Sequence, residues 1–169
     1  FISSCSEGGI DPMRWITRTR PKIDRIACPW LIRRFIDSKA EFFFVLPDDV
    51  LHRAAELGAI PFDVEGVELS HVGPLCSFDA LLQKYRLDDP ALHEMAVIIR
   101  GADTEQLALA PQAAGLLAIS LGLSKRFPDD QEQLAHGIVI YDALYAWAKF
   151  VRDERHTWNP QRGPRPVSA

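Results

Sequence analysis

The chain has 169 residues, 47% of them hydrophobic, which suffices for one domain with a real core and is too short for two full ones. Charged residues make up 25% and the net charge is −4, so the total gives no reason to expect nucleic-acid binding, although the segment from Arg14 to Arg34 is locally basic. No run approaches the roughly 18 consecutive apolar residues of a membrane span, and the start lacks a charged region followed by an apolar one, so a cytoplasmic protein that binds no membrane is expected.

Residues 1–12, FISSCSEGGIDP, are small, polar and Gly-containing and read as a flexible leader; a single domain is expected over 13–157, and the Pro-rich residues 158–169 read as a tail. Residues 13–19 alternate in the manner of a half-exposed strand, and EFFFVLP, 41–47, is an aromatic and β-branched run that suits a buried one. A helix between them predicts a βαβ-like start. Asp48 is a plausible cap for a helix over 49–57 that closes at Gly58. The Pro and Gly spacing of IPFDVEGVELSHVGP favours short strands and turns.

From Ser77 onward the pattern is helical. Asp89 caps a helix with Pro90 at its first position and a stop at Gly101; Pro111 opens the next, whose AAGLLAISLGL is apolar on nearly every face and is expected to be buried. Asp129 and Glu132 form a capping box for the longest helix, roughly 130–155, with one apolar stripe through Leu134, Ile138, Tyr141, Tyr145 and Ala148 and a second through Ile140, Leu144, Trp147 and Val151. The predicted class is α+β, mostly helical, with a small N-terminal sheet of short strands packed on a central long helix.

Three segments carry chemistry. In RPKIDRIACPWLIRRF, residues 20–35, a proline inside a helix costs about 3 kcal/mol and disfavours helical geometry just before it, so the helix is expected to begin at Pro29 with Cys28 as its cap. A thiolate at Cys28 would there be favoured by the helix dipole and by Arg25 or Lys22, as for a catalytic cysteine. Alternatively Cys28 simply extends the apolar face of Leu31, Ile32 and Phe35. Arg25, Arg33 and Arg34 would make an anion pocket if they converge, since guanidinium forks suit oxyanions; on a solvated surface they would carry salt bridges only. The three cysteines, Cys5, Cys28 and Cys76, are an odd number without the paired spacing of a disulfide framework or zinc ribbon, which indicates free thiols in a reducing compartment.

The second segment, GVELSHVGPLCSFD, brings Glu68, His71, Cys76 and Asp79 into one loop-rich stretch, and Glu68, His71 and Cys76 are candidate metal ligands outside any standard zinc spacing. The third, IIRGADT, presents Arg100 as a ligand-binding candidate at a helix end and Asp103 in a following loop as a metal candidate. Asp142 on the long helix needs a cationic partner such as Arg25 or Arg33. No GxGxxG, Walker A, HExxH or GxSxG sequence is present.

Taken together, RPKIDRIACPWLIRRFID, PFDVEGVELSHVGPLCSFDALLQKY, IIRGADT, APQAAGLLAISLGL and YDALYAW resemble the ChrB-type chromate resistance family, over about Met13 to Phe150. The likeness is to the C-terminal ChrB domain by itself; longer members carry a regulatory region before it. The resemblance implies a role in chromate resistance, some members being chromate-responsive regulators. The family motif positions fall on Asp24, Arg25, Cys28, Pro29, Trp30, Arg33 and Arg34, then Glu68, His71, Cys76, Phe78 and Asp103; some relatives have His and Asp where this chain has Arg100 and Gly101. Two functions follow as expectations. One is a sensor or accessory domain that binds chromate or another small oxyanion through Asp24, Arg25, Arg33, Arg34 and Arg100, or binds a divalent metal ion, with homo-oligomerisation possible. The other is a redox or metal-dependent enzyme using Cys28 or a Glu68, His71 and Asp103 site.

Overall fold

The computed structural model describes residues 11–155; Cys5, most of the leader and the Pro-rich tail lie outside the described residues. Strand β1 (Arg14–Arg18) is followed by α1 (Asp24–Phe35) and β2 (Glu41–Val45), then α2 (Val50–Leu57) and the two-residue β3 (Ile60–Pro61). Helices α3 (Ser77–Lys84), α4 (Pro90–Asp103), α5 (Ala113–Arg126) and α6 (Asp130–Ala146) complete the fold. The class is therefore α+β and mostly helical, with a three-stranded parallel sheet of order β2-β1-β3 near the N-terminus.

Strand alternation divides the core. Trp15 and its register partner Phe42 face the main cluster with Trp30, Leu31 and Phe78, whereas Ile16 on the opposite face packs with Val50, Ala54 and Ala59 under α2. Helix α6 lies along α1, and Gly137 marks the closest approach: a Cβ there would stand 2.5 Å from Ile26 Cγ2. The long helix also holds the sheet edge directly. Gln131 Nε2 donates to the Phe42 carbonyl at 2.6 Å, and Asp130 accepts from Thr19 Oγ1 and the Arg20 amide.

Several local expectations hold. Asp89 caps α4 through the Ala91 amide with Pro90 at the first position, Asp129 caps α6 through the Glu132 amide, and Gly58 ends α2 in the left-handed region at φ 59°. Others are corrected. Helix α1 starts at Asp24, not at Pro29, and Pro29 lies inside it. The proline forfeits about 3 kcal/mol, but this stretch of helix buries Ile26, Trp30, Leu31 and Ile32, each worth roughly 1.5–3 kcal/mol, so packing wins.

Helix α4 continues through Gly101 to Asp103, because Gly101 serves close packing: a Cβ there would meet Ala113 Cβ at 3.0 Å and the Gln106 carbonyl at 3.2 Å. Helix α5 begins at Ala113, after Pro111, and is buried on one side only, through Ala113, Leu116, Ser120 and Ser124; Ile119 and Leu121 are 48% and 49% exposed. Asp48 sits in a short 3-10 turn and makes no cap to α2. The long helix passes into a π turn at Trp147–Val151 and stops short of residue 155, and the lower part of its first stripe, like its second, is only half-buried.

Candidate metal centre

The site forms at the carboxyl ends of the parallel strands, the edge where ligands collect in parallel sheets. From the end of β1 the chain runs to Ile23, whose φ of 42° is a left-handed conformation that costs a β-branched residue about 1–3 kcal/mol. The Ile23 carbonyl accepts the Tyr141 hydroxyl at 3.1 Å, and this strained junction delivers Asp24 as the first residue of α1, fully buried. Two residues past β3, Asp63 also adopts a positive φ, 51°, a region that Asp tolerates. Its amide donates to the Leu69 carbonyl at 2.8 Å, closing the loop that presents His71. Asp103 arrives from the last turn of α4.

These four side chains converge. His71 Nε2 lies 3.0 Å from Asp103 Oδ2, 3.4 Å from Asp63 Oδ1 and 3.8 Å from Asp24 Oδ2. One donor atom from each of Asp24, His71 and Asp103 falls within 4.8 Å of the others. Donors bound to one divalent ion at about 2.0–2.2 Å stand about 3 Å apart, so this spacing suits a shared cation.

Asp24 Oδ2 accepts the Ser77 amide at 2.6 Å, whereas Asp24 Oδ1 is buried with no hydrogen-bond partner among the described residues. A buried carboxylate oxygen without a partner is costly, so burial of Asp24 is not explained by its protein contacts.

Electrostatics agree with the geometry. Burial raises Asp24 well above the ordinary carboxylate range, and the charges of Asp103 and Asp63 push it further. Asp103 is raised by burial and by Asp63. Burial would also raise Asp63, but His71, Ser77, Arg18 and Arg25 together outweigh it and hold that acid at about 2. The hydrogen bond to Asp63, with Asp103 and Asp24 close by, lifts His71 to about 9. The cluster thus combines two carboxylates whose ionisation is disfavoured, one whose ionisation is favoured, and an imidazole that favours its protonated form.

The remaining sequence candidates go elsewhere. Cys28 is not a helix cap: it is fully buried in the interior of α1, and burial with nearby Asp24 and Asp63 raises its thiol well above the ordinary value, the reverse of thiolate activation. Cys76 is the cap of α3; its Sγ donates to Asp79 Oδ2 at 3.3 Å while Asp79 Oδ2 accepts the Cys76 amide, and burial raises this thiol too. Glu68, 72% exposed, pairs with Lys84 at 2.6 Å away from the cluster. The three arginines do not converge on an anion pocket. Arg25 donates to the Arg18 and Thr19 carbonyls and pairs with Asp63 at 3.4 Å; Arg33 donates to the Ala40 carbonyl and lies over the Phe42 ring; Arg34 pairs with Asp142 at 2.7 Å.

Asp142 thus finds Arg34 and the Trp30 indole as partners, not Arg25 or Arg33. Arg100 pairs with Asp79 at 3.4 Å. Of the proposed metal set, His71 and Asp103 meet. Asp24 joins them from the proposed anion set, and Asp63 was missed. Its position in a Pro- and Gly-bounded loop after a short strand is the signal that could have marked it.

These carboxylates and the imidazole, gathered at the sheet edge of an α+β fold, define a candidate cation site. The chain belongs to the family described as ChrB, C-terminal domain, whose model matches residues 15–148. It is 36% identical over 133 residues to Protein ChrB of Cupriavidus metallidurans, a match that covers 78% of this chain and 40% of that protein. The chain therefore spans less than half the length of this curated relative. No solved structure matches it. Among the described residues no helix is long and apolar enough to cross a membrane.

Proposed function

We propose that this domain serves chromate resistance as a sensor or accessory module that holds one divalent metal ion on Asp24, His71 and Asp103, with Asp63 as a further carboxylate at the site. Family membership supports the tie to chromate resistance. The observation that carries the metal reading is the fully buried Asp24 carboxylate, one oxygen unpartnered, within donor spacing of an imidazole and a second acid. An oxygen-rich set with one imidazole suits Mn²⁺, Fe²⁺, Zn²⁺ or Mg²⁺ and disfavours soft Cu⁺. The ligands come from α1, the 62–76 loop and α4, so occupancy would tie three segments together, which is what a sensor needs in order to alter a partner surface.

Elemental analysis of purified protein, with Mn²⁺ and Zn²⁺ calorimetry on chelator-treated samples, tests this. About one ion per chain is expected, lost in His71→Ala and in Asp103→Asn and retained in Glu68→Gln and Cys76→Ser. Wild type without metal, or His71→Ala with undiminished metal, would overturn the reading.

A further inference from the structure

A cavity of about 460 Å³ opens beside the cluster, lined in part by Arg18, Asp63, Glu65, Val67, Ser70 and His71. Arg18 closes one side from the end of β1. Its Nη2 pairs with Asp63 Oδ2 at 3.0 Å and its Nε donates to the Asp63 carbonyl at 3.1 Å. The third nitrogen, Nη1, has no hydrogen-bond partner among the described residues, and the side chain stays 39% exposed. His71, 40% exposed, faces the same space.

A divalent ion held by Asp24, His71 and Asp103 would border this cavity through His71, across Asp63 from the Arg18 guanidinium. Charge decides what the cavity accepts. Without the ion the cluster offers an anion only the carboxylates of Asp24, Asp63 and Asp103 and the His71 ring, whereas a divalent cation gives it a coordination position beside Arg18. Glu65 is exposed at the cavity, where its charge is screened by solvent.

We propose that this cavity binds a small dianion with at least two oxygen donors, one oxygen on the metal and another on Arg18, and that it does so only after the metal is bound. The inference rests on the metal reading above. It adds Arg18 as the residue that selects the ligand and fixes the order of binding. A planar dicarboxylate and a tetrahedral oxyanion both satisfy this chemistry, and the two probes below separate them.

The test is calorimetry of malonate and of sulfate with Mn²⁺-loaded and metal-free protein, for wild type, Arg18→Ala and Val67→Trp, with the metal content of each sample measured. Expected is binding of at least one of the two anions by loaded wild type, at least tenfold tighter than by the metal-free form. Both variants should keep their metal and bind the anion at least tenfold more weakly. Val67 is half-buried at the cavity and has no part in the cation cluster, so Val67→Trp fills the space and decides the matter if Arg18→Ala loses its fold or its metal. Metal uptake with no affinity for either anion, equal affinity with and without metal, or undiminished affinity in Val67→Trp overturns this inference and leaves the metal reading standing. Absence of metal uptake by wild type sinks both.

Discussion

Asp24 occupies a place that stability by itself disfavours. It is fully buried, near two other acids, and has one oxygen without a partner. Replacing it by the neutral isostere should relieve the repulsion while keeping an acceptor for the Ser77 amide. Asp24→Asn is therefore expected to stabilise the metal-free domain by about 1 kcal/mol, a rise of roughly 2–4 °C in Tm, and to abolish metal-induced stabilisation. Thermal melts with and without Mn²⁺ check it, and a lower Tm for the metal-free variant would contradict it.

His71 sets the pH response. Its folded pKa is raised to about 9, so the stability it contributes in the metal-free protein is fully present below its unfolded value near 6.5 and is lost as pH rises through about 9. Asp63, depressed to about 2, acts in the opposite sense: its contribution is present above about 3.9 and fades as pH falls toward 2. A metal ion must displace the His71 proton. At pH 7.5 calorimetry in buffers of different ionisation enthalpy should thus show at least one proton released per ion bound in wild type, and the loss of stability above pH 8 should vanish in metal-loaded protein and in His71→Gln. No proton release would show that His71 is not a ligand.

At the scale of elements, α1 carries the most consequence. Its start is held by the strained Ile23 and by the Tyr141 hydroxyl from α6, and its body is clamped against α6 at Gly137. A methyl group at Gly137 would collide with Ile26 Cγ2 in a packed interface, so Gly137→Ala should cost about 1–3 kcal/mol in chemical denaturation. In an Ile26→Ala background, which removes that methyl, the same change should cost little. Additive costs would place the defect elsewhere. Because α1 also presents Asp24, the single variant should weaken metal binding as well. Arg20 shows how tightly neighbouring elements are tied: its guanidinium gathers the Ser124, Phe127 and Pro128 carbonyls at the end of α5, and its amide meets Asp130 at the start of α6.

Across the whole molecule, the candidate centre joins α1, the 62–76 loop and α4, which are remote in sequence. An ion bound there to the folded state should stabilise the domain by about 2.7 kcal/mol at a hundredfold excess over its Kd. Hydrogen exchange should slow most in residues 62–76, where few amides have backbone partners other than Asp63 to Leu69 and Val72 to Leu75. Protection spread evenly over α5 and α6 would argue against this centre.

What the sequence determined by itself was local. The Asp89 and Pro90 start, the Asp129 cap, the Gly58 stop and the presence of the first two strands are each decided within a few residues, by dihedral limits and orphan backbone groups. The exposures expected of those two strands are reversed, central β1 being buried on both faces and edge β2 only partly covered. The motif residues also sufficed to place the chain in its family. Tertiary structure decided what depends on burial and on distant partners. Packing kept Pro29 inside α1 and so turned Cys28 from a candidate nucleophile into core; it also left one side of α5 exposed. The pairing of β3 beside β1 set Asp63 and Asp24 around His71 and Asp103, a meeting that spacing along the chain does not encode, because the energy of a buried charge is fixed by its neighbours in space.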